Sequence, residues 1–384
     1  MKILSILLFL YGAAVATLTV ALFKRKKVAV VDGNALPGVS IVIPFRNEED
    51  NLPALLESLW KQSYKGMMEV ILINDNSEDD WARIIDKQCQ HSGHIPIKII
   101  DLHLSHSPLT SKQQALDLGV ENSICPLIAF TDADMILAPN WVESLVASHL
   151  SMGSDLVFGH TAIIDKRSKL LDFFEAYQLQ FLFAFAYAIS KLNLTTGSCM
   201  GNNILVTKKS YLECGGQRGI GRSIVEDRAL LGLMRKKGFK TAAAEPFFVT
   251  AQTHPSRSKK QFFNQMMRWA AGGLRPGGGL FVAGLLLFAQ NTLFLLTLII
   301  GLISIIPVVS LPVSISSMPT IIVIQSIVNF LLTWVFLALA FKKTRSPASK
   351  LFYPVYYFFM MKETLIFGFL MIFRPKIHWK GRGI

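Results

Sequence analysis

The stretch whose residue types and spacing speak first of chemistry is Thr131-Asp132-Ala133-Asp134. Two carboxylates one residue apart repel each other unless they face water, or unless a divalent cation and the phosphates it carries sit between them. Such hard oxygen ligands suit Mg2+ or Mn2+, which bind through one or two carboxylates and the phosphates of a substrate. A D-x-D tripeptide alone is more often a solvated turn, because Asp is a good turn residue. Its setting argues for more. The apolar run Cys125 to Phe130 leads straight into it, and a turn follows at Pro139. A second acid is placed in the same way: the apolar run Glu69 to Asn74 ends in Asp75-Asn76-Ser77-Glu78-Asp79-Asp80.

The elements that must position these acids can be read around them. Val39 to Ile43 is a β-branched run stopped by Pro44, and Phe45-Arg46-Asn47-Glu48-Glu49-Asp50-Asn51 leads into a helix with apolar positions at Leu52, Leu55, Leu56, Leu59 and Trp60. Ile97 to Leu102 reads as a third strand and Lys112 to Val120 as a helix, with the strand that carries the Asp pair after it. Apolar strands alternating with helices predict an α/β fold, a mostly parallel sheet with helices on both faces. Ligands of such sheets sit beyond the carboxyl ends of the strands. Asp75, after the second strand, and Asp132 and Asp134, after the fourth, therefore share one predicted edge.

Further along, residues 170–190 are rich in aromatics but carry Asp172 and Glu175, which predicts an amphipathic helix on or near a membrane surface. Gly201-Asn202-Asn203 precedes a short strand. Val225-Glu226-Asp227-Arg228 opens a helix running to about Lys237, with Gly238 as its cap. Acids in a first turn are favoured by the helix dipole whatever their role. His254, in the polar loop Thr253-His254-Pro255-Ser256, reads as an exposed loop histidine.

Composition adds a membrane. Hydrophobic residues are 51% of the 384 and charged ones 17%, and the apolar residues concentrate at the two ends. Residues 3–23 carry no charge and are followed by Lys24-Arg25-Lys26-Lys27, the reverse of a signal peptide's order, so an uncleaved transmembrane anchor is expected with its C-terminal end cytoplasmic. Residues 280–306 and 320–341 are each long enough to cross a hydrocarbon core of about 30 Å. The last apolar stretch, 351–373, holds Lys362-Glu363 at its middle, which predicts a re-entrant or surface-lying segment with a cytoplasmic basic tail. The net charge of +13 is spread over membrane flanks and short clusters rather than one stripe, which favours lipid headgroups and a phosphorylated substrate over nucleic acid. The four cysteines show no C-x-x-C spacing, so neither a disulfide framework nor a zinc site is implied.

Taken together, these stations resemble the membrane glycosyltransferases of family 2, the group of cellulose, hyaluronan and ceramide-glucoside synthases. The residues that carry the resemblance are Val39 to Pro44 with Arg46-Asn47-Glu48, Asp75, Lys112, Thr131-Asp132-Ala133-Asp134, Gly201-Asn202-Asn203, Glu226-Asp227 and the Q-x-x-R-W run Gln265-Met266-Met267-Arg268-Trp269. The resemblance implies a GT-A fold that binds a UDP-sugar. Asp75 and the loop Pro44, Arg46, Asn47 and Glu48 would line the nucleoside, with Lys112 and Asp132 also on the donor. Asp134 would hold the Mg2+ or Mn2+ ion. Asp227, beside Glu226, would be the general base, and Gln265, Arg268 and Trp269 would lie near diphosphate and acceptor. Many polymerising relatives have Thr where this chain has Val225, and Trp379-Lys380-Gly381-Arg382 resembles a C-terminal motif of the lipid-glucosylating branch.

The expected activity is an inverting transfer of a hexose from a UDP-sugar to a lipid or lipid-linked glycan acceptor in the bilayer. The alternatives are a processive polysaccharide synthase and a non-catalytic nucleotide-sugar-binding subunit. The expected organisation is an anchor with basic flank over 1–27, a linker over 28–38, a cytoplasmic GT-A domain over 39–275, two transmembrane helices within 280–341, and the re-entrant or interfacial segment and tail over 351–384.

Overall fold

A computed structural model of the chain describes residues 2–24, 36–89, 95–103, 107–164, 170–193, 199–245, 249–274, 279–304, 320–344, 353–372, 378–379 and 382–383. Most of the linker 28–38, Gly197 and Ser198, the 307–319 stretch and most of the basic tail lie outside these. The chain forms two compact units. The larger spans Arg25–Ser256 with Lys343–Ser346, and the smaller gathers Met1–Lys24, Arg257–Lys342 and Pro347–Ile384.

The larger unit is built on strand β1 (Val39–Phe45), whose Val39, Ile41, Val42 and Ile43 are completely buried, as a central strand apolar on both faces must be. It pairs in parallel with β2 (Met68–Asn74) on one side and β4 (Leu127–Phe130) on the other, and β3 (Ile97–Asp101) pairs in parallel with β2 at the sheet edge. These four strands and their parallel pairing follow the sequence reading. Beyond β4 the sheet turns mixed. Along the chain come β5 (Met135–Leu137), β6 (Leu156–Phe158), β7 (His160–Ile163), β8 (Ile204–Thr207), β9 (Thr241–Ala243) and β10 (Val249–Thr253). β8 runs antiparallel to both β4 and β6, and β9 closes a seven-stranded sheet of order β3-β2-β1-β4-β8-β6-β9. A three-stranded sheet β5-β10-β7 lies beside it. The chain passes from one sheet to the other at Gly159, where a side chain would collide with Asn203.

Helices α2 (Leu52–Trp60), α3 (Trp81–Cys89), α4 (Ser111–Glu121) and α5 (Trp141–Met152) follow their strands. The start of α4 is a capping box: the Gln113 N–H donates to Thr110 Oγ1 at 3.2 Å and the Thr110 N–H donates to Gln113 Oε1 at 3.2 Å. Where α4 crosses β1, Gly119 lies against Val42 with no room for a side chain. Gly153 ends α5 in the left-handed conformation at φ 54°. The aromatic helix expected over 170–190 is α6 (Leu170–Lys191). It packs along β7 and β9 with Tyr177, Phe183 and Tyr187 buried, while Phe173, Phe181 and Phe185 are half-buried. Then follow α7 (Lys208–Cys214), α8 (Gly216–Ile220) and α9 (Glu226–Lys236).

The smaller unit consists of α1 (Lys2–Ala21), α10 (Lys259–Leu274), α11 (Gly279–Ser304), most of α12 (Thr320–Thr344) and α13 (Tyr353–Ile372), with the short pair β11 (His378–Trp379) and β12 (Arg382–Gly383). Among the described residues three helices are long and apolar enough to cross a membrane: Lys2–Ala21, Phe281–Ile299 and Thr320–Lys342. α13 is a continuous 20-residue helix in which Lys362 pairs with Glu363 at 3.2 Å and sits over the Phe359 ring. The helices are joined by neutral polar contacts. Asn329 Nδ2 donates to Leu8 O at 2.9 Å and to Gln290 Oε1 at 2.8 Å, and Tyr357 Oη donates to Asn291 Oδ1 at 3.1 Å. Sequence reading extended the larger domain to 275, whereas the chain changes unit between Ser256 and Arg257. The cause is the apolar face of α10, which packs Phe262 against Phe359 and Phe263 against Phe367 of α13.

Candidate active site

The Asp132-Ala133-Asp134 turn joins β4 to β5, so the chain leaves one sheet and enters the other across the two acids. Thr131 and Ala133 are buried, while Asp132 and Asp134, alternating with them, are half-buried. Asp134 Oδ2 lies 3.5 Å from the Thr253 hydroxyl, which β10 brings opposite Met135.

At the carboxyl ends of β1 and β2 the two loops are laced together. The Asn47 N–H donates to Ser77 Oγ at 3.0 Å and the Glu78 N–H donates to Asn47 Oδ1 at 2.8 Å. One step further, the Glu49 N–H donates to Asp79 Oδ2 at 2.7 Å and the Asp80 N–H donates to Glu49 Oε2 at 2.8 Å. Asn47 and Asn76 both adopt φ 53°, a left-handed conformation that Asn tolerates better than most residues. Behind this lacing Asp75 is buried, its N–H donating to Phe45 O at 2.9 Å. Glu48 is buried too, accepting from Asn51 Nδ2 at 2.6 Å. Pro44, Arg46, Asn47, Glu48 and Asp75 thus belong to one pre-formed rim.

Lys112, on the first turn of α4, connects the Asp132-Ala133-Asp134 turn to the first turn of α9. Its Nζ stands 2.8 Å from Asp132 Oδ1 and 2.9 Å from Glu226 Oε1. Burial works against the ammonium, yet the two carboxylates outweigh it and hold Lys112 charged well above the usual lysine range. The neighbouring Asp227 has a different environment. Its Oδ2 accepts the Gly201 N–H and its Oδ1 the Arg228 N–H, both at 2.6 Å. Burial, and then the charge of Glu226, lift its pKa to about 6 against these stabilising bonds. Gly201 makes the fit achievable: a Cβ there would come within 3.1 Å of Asp227 Cβ and 3.2 Å of its Oδ2.

Asn203 supports the site from below. Its Oδ1 accepts from Trp141 Nε1 at 2.9 Å and its Nδ2 donates to Thr250 Oγ1 at 3.2 Å, while Thr161 Oγ1 donates to Asn202 Oδ1 at 2.9 Å. Gly201-Asn202-Asn203 therefore has one residue on the Asp227 carboxylate and two in the scaffold. His254 is exposed, as expected. Sequence reading missed Gln113, fully buried one residue from Lys112. Its neighbours in sequence gave no sign that its partners lie in the loop before α9. Gln265, Arg268 and Trp269 are half-buried on α10 and belong to the smaller unit.

Among the described residues no three His, Cys, Asp or Glu side chains cluster closely enough to form a protein-only metal cage. A cation beside the Asp132-Ala133-Asp134 turn, where Lys112 meets Asp132 and the Thr253 hydroxyl faces Asp134, would draw its other ligands from phosphates and water. That donor set fits Mg2+ or Mn2+.

The central parallel strands, the acidic turn at their carboxyl edge and the flanking mixed strands form the GT-A arrangement of glycosyltransferases. The same fold is found in the mannosyltransferase PcManGT from Pyrobaculum calidifontis, solved in complex with GDP-Man and Mn2+, with a TM-score of 0.55 and 15% identity over 90% of this chain and 100% of that one. In sequence, the chain is 26% identical over 248 residues to the 4,4'-diaponeurosporenoate glycosyltransferase of Staphylococcus aureus strain USA300, a match covering 62% of this chain and 63% of the relative. The chain thus spans about 63% of the length of the curated relatives it matches. Residues 4–384 match the family model Glycosyl transferase family 21, and the chain belongs to that family.

Proposed function

We propose that this protein is an inverting hexosyltransferase that moves a sugar from a UDP-sugar to a lipid or lipid-linked glycan acceptor at the membrane. The observation that carries this reading is the Lys112 bridge: one ammonium reaches both the acid turn after β4 and Glu226, next to Asp227 on α9, which supports donor and acceptor chemistry at one site. The complex of the archaeal neighbour with GDP-Man and Mn2+ supports a nucleotide-sugar donor and a divalent cation. The name of the S. aureus relative supports an acceptor other than a growing polysaccharide.

In this mechanism the laced rim at Asn47 and Asp75 receives the nucleoside. Asp132 and Lys112 face the diphosphate, and Asp134 would hold Mg2+ or Mn2+. A cation there supplies Lewis-acid stabilisation of the charge that builds on the leaving diphosphate. Asp227 takes the proton of the acceptor hydroxyl, a role suited to a carboxylate whose pKa lies near operating pH. The backbone amides of Gly201 and Arg228 fix its orientation. With one base and no carboxylate nucleophile the displacement is single, and the anomeric configuration inverts. The basic residues after α1 and at the end of α12 support a multi-pass protein with its catalytic unit cytoplasmic.

The test is release of nucleoside diphosphate by detergent-purified protein from a panel of UDP- and GDP-sugars, with Mn2+, Mg2+ or EDTA and a total membrane lipid extract. Turnover of one sugar that needs cation and lipid, gives product of inverted configuration and disappears in Asp227→Asn is expected. Retained configuration, or full turnover by Asp227→Asn, would overturn the mechanism.

A further inference from the structure

The helix that carries Glu226 and Asp227 begins at an unusual place. Val225, at its N-cap, makes no side-chain capping bond, so the first turn of α9 has no local anchor of the usual kind. Its entry is held from another element instead. Gln113 Nε2 donates to Gly221 O at 2.8 Å, and Gln113 Oε1 accepts the Ser223 N–H at 3.1 Å. Ser223 Oγ then accepts the Val225 N–H at 3.3 Å, and Lys112 takes the Glu226 carboxylate at 2.9 Å. Residues 221–226 are thus fastened at successive points to the first turn of α4, directly by Gln113 and Lys112 or through Ser223. That helix cannot easily shift. Gly119 seats it on Val42 of β1, and its Asp117 accepts Tyr211 Oη at 2.7 Å and the Gln217 N–H at 3.0 Å, tying it to α7 and α8.

We propose that the first turn of α4 is a positioning clamp that sets the base helix against the donor turn, Gln113 holding the loop before α9 and Lys112 holding Glu226 to Asp132. The clamp rests on the reading of Asp132 as a donor residue and Asp227 as the base. Gln113 touches no reacting atom in this scheme; it acts by fixing where Asp227 stands. Lys112 makes the fixing responsive, because diphosphate entering beside Asp132 meets the same ammonium that holds Glu226. Donor binding is thereby felt at the acceptor side.

Amide hydrogen exchange on the full-length protein in detergent tests both halves. Without ligand, Gln113→Leu should speed exchange of the amides in 221–228 by about tenfold or more while β1 and β4 keep their protection; unchanged exchange in 221–228 overturns the clamp. Should Gln113→Leu not fold, the isosteric Gln113→Glu keeps the acceptor, loses the donor to Gly221 O and is expected to act in the same direction. With UDP and Mn2+ as the probe, exchange in 221–228 should slow in the natural protein, not in Lys112→Met, and slow again in Lys112→Arg. UDP binding by each variant is checked calorimetrically. Equal slowing in the natural protein and Lys112→Met overturns the coupling. Asp227→Asn with full turnover would sink the base assignment and leave these exchange results standing. Failure of UDP and GDP to bind the natural protein would sink the donor reading, and the ligand-free comparison would still decide the clamp.

Discussion

The two units differ in the charged groups they bury. In the larger, buried and half-buried charges are paired or held by backbone amides: Lys112 with Asp132 and Glu226, Lys191 with Glu245, Asp227 with the Gly201 and Arg228 amides. In the smaller, the buried polar side chains among the described residues are neutral, with Gln290, Asn291, Ser326, Asn329 and Thr333 at 0–3% exposure. Ionised groups are costly in a low-dielectric interior and are retained where a reaction needs them, whereas amides and hydroxyls can join helices at modest cost. The larger unit carries the paired charges of the candidate site, and neutral contacts join the helices of the smaller.

Substitutions can break this contrast from either side. Asp227→Asn should lower diphosphate release by about 10²–10⁴-fold with the fold intact, the usual contribution of a general base; a melting curve alongside the assay separates the two effects. Next, Asn329→Asp brings a charge into the neutral network around Leu8 O and Gln290, and should cost about 3 kcal/mol of stability at a membrane-helix centre, seen as a lower melting temperature in detergent. Gly201→Ala pushes a methyl against the Asp227 carboxylate and should reduce turnover about tenfold by misplacing it. Smallest is Asn329→Leu, which removes two hydrogen bonds and should cost about 1 kcal/mol while leaving turnover unchanged. If Asn329→Leu abolished turnover in a protein that still melted normally, the division of labour between the units would fail.

Much of the larger unit was legible in sequence because β1, β2 and β4 are apolar runs buried on both faces and lie next to acids at one edge. Strand β5 was not. Three residues, Met135 to Leu137, carry no readable period, and their pairing with β10 is a long-range event. The antiparallel direction of β8 was hidden for the same reason, since a run such as Ile204–Thr207 does not state its direction. In the site, residue types were informative and partnerships were not. Asp132 and Asp134 stood out by spacing and Glu226 and Asp227 through the family resemblance, but nothing near Lys112 in the chain distinguishes a bridging lysine from a solvated one. Gln113 read as an ordinary polar residue on a helix, and only the arrival of 221–223 buries it.

The environment of Asp227 also fixes the sense of the pH dependence. A base must be ionised to accept a proton, so the rate should rise with pH through the Asp227 pKa of about 6 and then level off. Glu226 raises that pKa and Lys112 lowers it. Glu226→Gln should therefore move the rising limb to lower pH, and Lys112→Met to higher pH.

The most direct measurement is kcat/KM for the donor sugar against pH from 5 to 8, with Mn2+ and lipid acceptor, for the natural protein and Asp227→Asn. The expected result is a rising limb centred near pH 6 in the natural protein and a rate near background at every pH in the variant. A flat profile in the natural protein, matched by an active Asp227→Asn, would contradict the assignment of Asp227 as the base.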